Sequence, residues 1–109
     1  MHELGITRNI VAIVTEQAHG AKVKRVGLEI GKLAAILPDA IRFCFDVCSR
    51  DTLLEGAELT IVEIPGRGRC QTCGGELALE QPFGRCPCGS RQIECVAGEE
   101  MKIKEMELF

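Results

Sequence analysis

The first half of the chain shows the spacing of a helix followed by the alternation of a strand. Apolar side chains recur every three or four positions near the start of the chain, namely at Ile6, Ile10, Ile13 and Val14. This spacing predicts a helix from about Leu4 to His19, and Gly20 supplies a stop signal at its end. In residues 26–31 (VGLEIG) every second side chain is apolar, which predicts a half-buried strand.

A second amphipathic helix and two further strands follow. Pro38 suits the first turn of a helix, and an apolar stripe accompanies it over about three turns. The stripe consists of Leu37, Ile41, Cys44, Phe45 and Cys48. Residues 59–64 (LTIVEI), which precede a Pro-Gly break, and residues 101–104 (MKIK) have strand character. We therefore predict an α+β fold in which two helices pack on a small, mainly antiparallel three-stranded sheet.

Between residues 67 and 95 the composition changes, because glycine and cysteine become frequent and the apolar periodicity fades. Such a segment cannot bury a core of its own and requires a cross-link. We predict that it forms an inserted, zinc-ribbon-like lobe before the final strand. The predicted domains are residues 1–65 together with 97–109, and residues 66–96.

The seven cysteines of this 109-residue chain point to metal binding rather than to disulfides. An odd count leaves one thiol over, and the first residues lack the basic start and unbroken apolar run of a signal peptide. No stretch approaches the ~20 apolar residues of a membrane span. We therefore expect a cytoplasmic protein with reduced thiols and no membrane attachment.

Charge and aromatic content argue against nucleic acid as a partner. The formal net charge is -3, and the chain has no Trp or Tyr on which bases would stack. The arginines around the cysteine-rich segment are more simply explained as compensation for the negative charge of metal-bound thiolates. They are Arg67, Arg69, Arg85 and Arg91.

Four cysteines occur in two closely spaced pairs, which is typical of a tetrahedral zinc site. They are Cys70, Cys73, Cys86 and Cys88. Gly74 and Gly89 each follow one pair, where a tight turn favours positive φ. The second pair is C-x-C rather than the usual C-x-x-C, so Cys95 stays open as a substitute ligand. Because protein thiolates would fill all four positions on the metal, we expect a structural zinc site and no enzymatic activity.

Two other features have simpler explanations than metal binding. Cys44 and Cys48 lie four positions apart on a helix, but both fall on its apolar stripe, where a small buried side chain is typical. His19 ends the first helix, where an imidazole interacts favourably with the helix dipole. Two other classes of protein stay open at this point: a zinc-ribbon interaction module, and a redox protein that uses the first cysteine pair.

The first three residues offer a second metal site of different chemistry. The amine of Met1, the deprotonated amide nitrogen of His2 and the His2 imidazole form fused chelate rings around one metal ion. Such planar nitrogen sets suit Ni(II) and Cu(II), and the Glu3 carboxylate can fill a further position. The chemistry alone leaves a simpler alternative, which is a solvated histidine followed by a glutamate that favours the start of a helix.

Several segments taken together carry a family resemblance. They are the opening MHE, VGLEIGKLAAILPDAIRFCFDV, EGAELTIVEIPGRGRCQTCG, CPCGS and the closing GEEMKIKEMEL. Over nearly its whole length the chain resembles the HypA/HybF family of hydrogenase nickel-incorporation proteins. One departure is that the family's second cysteine pair is typically C-P-x-C, whereas one residue is missing here.

The resemblance implies a non-catalytic metallochaperone that takes up Ni(II) and passes it on for the maturation of nickel–iron hydrogenase. The nickel ligands of the family carry over onto Met1, His2 and Glu3. Its ligands for structural Zn(II) carry over onto Cys70, Cys73, Cys86 and Cys88. The implied partners are a nickel-handling GTPase and the hydrogenase large-subunit precursor, with urease left open as another acceptor. The sequence does not decide between a monomer and a homodimer.

Overall fold

The computed structural model of the chain describes residues 2–109. Over this range the chain forms two helices and six strands, and neither helix has the length and apolar character that spanning a bilayer requires. The elements are α1 (His2–Ala18), β1 (Val23–Gly31), α2 (Pro38–Cys48), β2 (Glu58–Ile64), β3 (Gly66–Cys70), β4 (Glu76–Leu79), β5 (Ile93–Ala97) and β6 (Met101–Leu108). The strands form two three-stranded sheets, ordered β2-β1-β6 and β4-β3-β5.

The chain divides into two compact units. The first unit comprises the chain up to Glu29, Ile36–Val62 and Lys102–Phe109. The second unit comprises Ile30–Ala35 and Glu63–Met101. The predicted α+β class, with two helices, small sheets and a cysteine-rich lobe, is confirmed.

The first unit has an apolar core to which both helices and β1 contribute. Its most deeply buried side chains include Val14, Val23, Val26, Leu28, Ile41, Phe45 and Leu54. Helices α1 and α2 contact each other directly. Because full burial of one such side chain stabilises a protein by about 1.5–3 kcal/mol, these residues supply the main stabilising term of the unit.

Helix α1 begins earlier than the sequence predicts and turns a slightly different face to the core. It starts at the second residue of the chain, so the predicted start was two residues late. Ile10 and Val14 are buried as predicted, whereas Ile13 is 49% exposed and Val11 is buried in its place. The periodicity identified a helix correctly, but the packing partner decides which residues beside the central stripe are covered.

Helix α2 carries the predicted apolar stripe, but only the middle of the stripe is buried. Ile41 and Phe45 are almost completely buried. Leu37 immediately precedes the helix and is 66% exposed, so it does not belong to the core. Cys44 and Cys48 are only half-buried, at the side of the stripe.

The second unit contains an antiparallel sheet whose strands the sequence analysis missed. β3 is the central strand, and Gly68 lies opposite Leu77 of β4 on one side and opposite Cys95 of β5 on the other. The sequence of β3 is GRGRC, which contains no β-branched or aromatic residue. Its strand conformation therefore depends on pairing with its two neighbours rather than on intrinsic propensity.

Three glycines let backbone segments of the second unit approach closely. A Cβ atom on Gly31 would lie 1.9 Å from the carbonyl oxygen of Gly98. A Cβ atom on Gly98 would lie 2.5 Å from the Cα of Gly66, and Gly98 also has a φ of +108°. The approach is fixed by a hydrogen bond of 2.7 Å that the N–H of Leu33 donates to the carbonyl of Gly98. No larger residue fits at these positions without a shift of the backbone.

Candidate metal centres

The two cysteine pairs of the second unit lie on two similar tight turns. The first pair begins at the end of β3, where the N–H of Gly74 donates to the carbonyl of Cys70 at 2.9 Å. In the second turn the N–H of Gly89 donates to the carbonyl of Cys86 at 2.8 Å. Gly74 and Gly89 have φ values of +77° and +99°, as the tight turns require. The C-x-C pair thus closes its turn one residue earlier than the C-x-x-C pair does.

The four thiols of these turns converge on one point. The sulfur atoms of Cys70, Cys73, Cys86 and Cys88 all lie within 4.8 Å of one another. The Sγ atoms of Cys70 and Cys88 are 3.6 Å apart, and those of Cys73 and Cys86 are also 3.6 Å apart. Four sulfurs at the ordinary Zn–S distance of about 2.3 Å would lie about 3.8 Å from one another in a tetrahedron. The donor set and its spacing therefore fit a tetrahedral Zn(II).

Backbone groups prepare one of these sulfurs to ionise. The N–H of Cys73 points at the sulfur of Cys70 at 3.5 Å, and this hydrogen bond is the main reason why the pKa of Cys70 is lowered to about 6. The N–H of Cys88 lowers the pKa of Cys86, but burial and the neighbouring thiols outweigh it and raise that pKa to about 12. Since a thiol binds a metal as its thiolate, metal binding at Cys86 would release a proton at neutral pH.

Cys95 lies outside this cluster. It belongs to β5, and its thiol donates to the carbonyl of Ala97 at 3.3 Å. Burial, followed by the carboxylate of Glu99, raises the pKa of the Cys95 thiol. The geometry brings together the two sequence pairs and does not bring Cys95 to them.

Two of the arginines near the cysteines form ion pairs with one carboxylate. Arg67 and Arg69 both form ion pairs with Glu76, the first by a short hydrogen bond. The Arg67 guanidinium lowers the pKa of Glu76, and Arg69 adds to this effect. This part of the lobe is therefore a cross-strand ion-pair network in which one carboxylate offsets part of the charge of two arginines, rather than an open basic patch.

The second candidate centre is at the start of α1. His2 is the first residue of the helix, and its side chain is 63% exposed. The Nε2 atom of His2 lies 3.8 Å from Oε2 of Glu3, whose side chain is only 8% exposed. Because the first four N–H groups of a helix have no intrahelical acceptor, the His2 amide is available for other chemistry. Met1, the third predicted nickel ligand, lies outside the described residues.

A residue distant in sequence holds the Glu3 carboxylate in place. Oε2 of Glu3 accepts the backbone N–H of Leu37 at 3.2 Å, across 34 positions of sequence. The positive charge at the amino terminus of the chain, and then this N–H, lower the pKa of Glu3 to about 2. The sequence analysis missed the role of Leu37, and it had no signal for it because any residue except proline offers the same N–H.

Comparison with known proteins identifies the family. A family model described as "Hydrogenase/urease nickel incorporation, metallochaperone, hypA" matches residues 1–108. The hydrogenase maturation factor HypA of Nostoc punctiforme is 68% identical over 108 residues, which cover 99% of this chain and 96% of that protein. The corresponding protein of Geobacter metallireducens is 50% identical over 109 residues, which cover 99% of both chains.

Solved structures agree with this assignment. A solution structure of a HypA protein superposes with a TM-score of 0.75 at 25% identity, covering 100% of this chain and 97% of that chain. The solution structure of the Ni metallochaperone HypA from Helicobacter pylori gives a TM-score of 0.70 at 24% identity and supports the fold. From the match of the family model over nearly its full length and from these relatives, we conclude that the chain belongs to the HypA family of nickel-incorporation metallochaperones.

Proposed function

We propose that this protein binds Ni(II) through the Met1 amine, His2 and Glu3 and delivers it for the maturation of nickel–iron hydrogenase. The observation that carries the proposal is the pairing of an exposed imidazole with a buried carboxylate 3.8 Å away in the first turn of α1. The family assignment supports a role in nickel handling and gives no support to an enzymatic one.

The coordination chemistry suits a transient cargo. The amine of Met1 has an ordinary pKa near ~8, so it can lose its proton and bind a metal at physiological pH. Together with the amide and imidazole of His2 it supplies the planar nitrogen set that Ni(II) favours. The exposure of the imidazole leaves one side of the bound ion open to an incoming ligand. Release would then proceed by replacement of one protein ligand at a time.

We propose a structural role for Zn(II) at Cys70, Cys73, Cys86 and Cys88. A catalytic zinc keeps one position open, whereas four protein thiolates leave none. The metal would tie β3 to the turn that starts at Cys86, and thereby add to the few apolar side chains that this unit buries. On this proposal residues 66–96 form the zinc-binding domain, and residues 1–65 with 97–109 form the nickel-binding domain.

The proposed partners are the proteins that hand over and receive the nickel. We propose a nickel-handling GTPase and the hydrogenase large-subunit precursor, acting in the cytoplasm. The description of the family names urease beside hydrogenase, so a urease precursor is a second candidate acceptor. Transfer of nickel from the loaded protein to each purified precursor distinguishes the two.

Metal analysis of untagged protein tests the nickel site. We expect one zinc per chain in both wild type and His2→Ala, with nickel binding lost only in the variant. His19→Ala is the matched control, since His19 is the only other histidine in the chain. Unchanged nickel affinity in His2→Ala would refute the proposed site.

A second experiment tests the contribution of the Met1 amine alone to nickel binding. An extension of a few residues before Met1 removes the terminal amine and leaves both side chains in place. We expect it to weaken nickel binding strongly while zinc content stays at one per chain. Equal nickel affinity with and without the extension would exclude the amine as a ligand. A zinc-ribbon interaction module, the main alternative, predicts no second metal in either protein.

A further inference from the structure

The backbone N–H of Leu37 reaches a carboxylate that the proposed nickel site uses. It donates to Oε2 of Glu3 at 3.2 Å, although the two residues are 34 positions apart in the sequence. The same oxygen atom lies 3.8 Å from Nε2 of His2. One oxygen of this carboxylate is therefore held by a backbone donor at the start of α2 and lies beside the imidazole that the proposal assigns to nickel.

Helix α2 and the core beneath it fix the direction of this N–H. Leu37 immediately precedes the helix, with φ −86° and ψ 114°, and its carbonyl accepts the N–H of Ile41 at 3.1 Å. The side chain of Ile41 is completely buried in the core of the first unit. A residue at this position gives its carbonyl to the first helical hydrogen bond and keeps its own N–H for a partner outside the helix. That partner is Glu3.

The side chain of Leu37 contributes little to the core, in contrast to its backbone. It is 66% exposed, so it gains little from the transfer of apolar surface out of water. The two hydrogen bonds of the residue, to Glu3 and from Ile41, both use main-chain atoms. What this position adds to the fold is therefore a donor and an acceptor of the backbone.

Glu3 is held at two separate points. The hydroxyl of Thr7 donates to the carbonyl of Glu3 at 2.6 Å, and Thr7 is completely buried. The carboxylate at the other end of the residue is the acceptor for Leu37, and the side chain is only 8% exposed. A buried carboxylate requires hydrogen-bond donors. Carboxylates that bind metals in proteins are oriented by such donors as well.

We propose that the N–H of Leu37 positions the Glu3 carboxylate as a nickel ligand, which makes Leu37 a positioning residue of the metal site. This inference rests on the proposed function and adds to it a group that does not touch the metal. A carboxylate that is already oriented loses less conformational freedom when nickel binds. Removal of such an outer hydrogen bond typically weakens metal binding about 10–100-fold.

A proline at position 37 tests the proposal, because proline has no N–H. The φ of −86° lies within a few degrees of the range of about −50° to −80° that proline allows. Leu37→Ala is the matched control, since it shortens the side chain and keeps the N–H. In competition titrations against a nickel chelator, Leu37→Pro should weaken nickel binding about tenfold or more and Leu37→Ala should leave it unchanged. Equal nickel affinities of the two variants would overturn the proposal.

The double variant Glu3→Ala/Leu37→Pro tests whether Leu37 acts through Glu3. Residues that share one interaction show non-additive effects, so Leu37→Pro should not weaken nickel binding further once the carboxylate is absent. The d–d absorption of bound Ni(II) depends on its ligand set. In Leu37→Pro it should resemble that of Glu3→Ala and differ from that of wild type. A general loss of stability produces neither result, and additive effects of the two substitutions would contradict the positioning role.

Circular dichroism and zinc content check that each variant folds. If Leu37→Pro does not fold, leucic acid at position 37 replaces the N–H by an ester oxygen and keeps the leucine side chain. A chemically synthesised chain with this ester should show the same loss of nickel affinity, about tenfold or more, relative to a synthetic chain of wild-type sequence. Nickel binding as tight as that of the synthetic wild type would refute the role of the N–H.

The variant His2→Ala separates the failure of this inference from the failure of the proposed function. If His2→Ala loses nickel while Leu37→Pro binds it as tightly as Leu37→Ala, the nickel site stands and the positioning role is wrong. If His2→Ala binds nickel like wild type, the proposed site fails and the positioning role fails with it. Loss in His2→Ala together with weakening in Leu37→Pro alone of the two Leu37 variants supports both.

Discussion

The two units of this protein are stabilised in different ways. Between Glu63 and Met101 the buried apolar side chains are those of Cys70, Leu79 and Cys86, two of which belong to the four-thiol cluster. The first unit buries branched and aromatic side chains from two helices and a strand. The first unit is therefore held by the transfer of apolar surface out of water, whereas the second unit buries few apolar side chains and brings four thiols together.

On the proposed function, this difference separates a site for a structural metal from a site for a transported one. The four thiols of the second unit converge on one another, whereas His2 presents its imidazole to solvent from a well-packed helix. A closed thiolate set retains its metal, and an exposed site with a terminal amine exchanges it. The following predictions test whether the two regions respond independently.

The largest expected effect is the loss of one cluster thiol. Cys86→Ser should abolish stoichiometric zinc and unfold β3–β5, because structural zinc contributes about 10–16 kcal/mol in small zinc domains. The apolar core around α1 and α2 should remain folded. Zinc analysis and amide NMR spectra check both statements. Cys95→Ser is the control and should keep one zinc, and zinc loss in that variant would contradict the cluster described above.

Truncation of a core side chain should destabilise the first unit and leave the zinc content unchanged. Phe45→Ala removes an almost completely buried aromatic ring from the first unit, which costs about 3–5 kcal/mol. Urea unfolding followed by helical circular dichroism measures this loss. Zinc content should stay at one per chain. If Phe45→Ala released the zinc in the absence of denaturant, the two regions would not be independent.

A smaller effect is expected from a substitution at Gly98, where the backbone of the second unit passes close to Gly66. In Gly98→Ala, the alanine would have to adopt the φ of +108° of Gly98, and its Cβ would lie 2.5 Å from the Cα of Gly66. We therefore expect the free energy of unfolding to fall by about 1–3 kcal/mol. Gly56→Ala is the control, because Gly56 has a φ of +78° but open space around it. Hydrogen exchange of β3 and β5 amides should accelerate in Gly98→Ala. Equal unfolding midpoints of the two variants would show that the contact is unimportant.

The smallest effect concerns Glu3 in nickel-free protein. Its pKa falls from an ordinary value of 4.5 to about 2 on folding. A lowered pKa means that the ionised carboxylate stabilises the folded state above about pH 4.5, and that this contribution is lost as the pH falls towards 2. Wild type should therefore exceed Glu3→Gln in urea midpoint at pH 7, and the difference should shrink below pH 4.5. A difference that is constant with pH would rule out the ionised carboxylate as its source.

Most of the secondary structure of the first unit was predictable, because its elements repeat apolar residues with a clear period. The buried side of α2, which is centred on Ile41 and Phe45, and strand β1 followed directly from this pattern. The strands of the second unit were missed, since β3 alternates glycine and arginine and gains its conformation from its neighbours. The start of α1 was misplaced because the apolar repeat that predicts the helix does not include His2 and Glu3, which are polar and precede it.

The candidate sites also combine features that the sequence predicts with features that only the packing of the chain decides. Pairs of cysteines with following glycines were visible as a motif, and the turns at Gly74 and Gly89 have the predicted positive φ. The separation of Cys95 from the cluster was not predictable, because the register of β5 against β3 decides it.

By itself, the sequence determined the helical and strand periods, the kinds of donor group at the paired cysteines and in the first residues, and the resemblance to one family. These depend on local spacing and on functional groups, which are properties of the chain before it folds. The tertiary structure decided which four of the seven thiols meet, that a distant amide holds Glu3, and which face of each helix is left exposed. These depend on contacts between residues far apart in the chain, and such contacts exist only once the elements have packed.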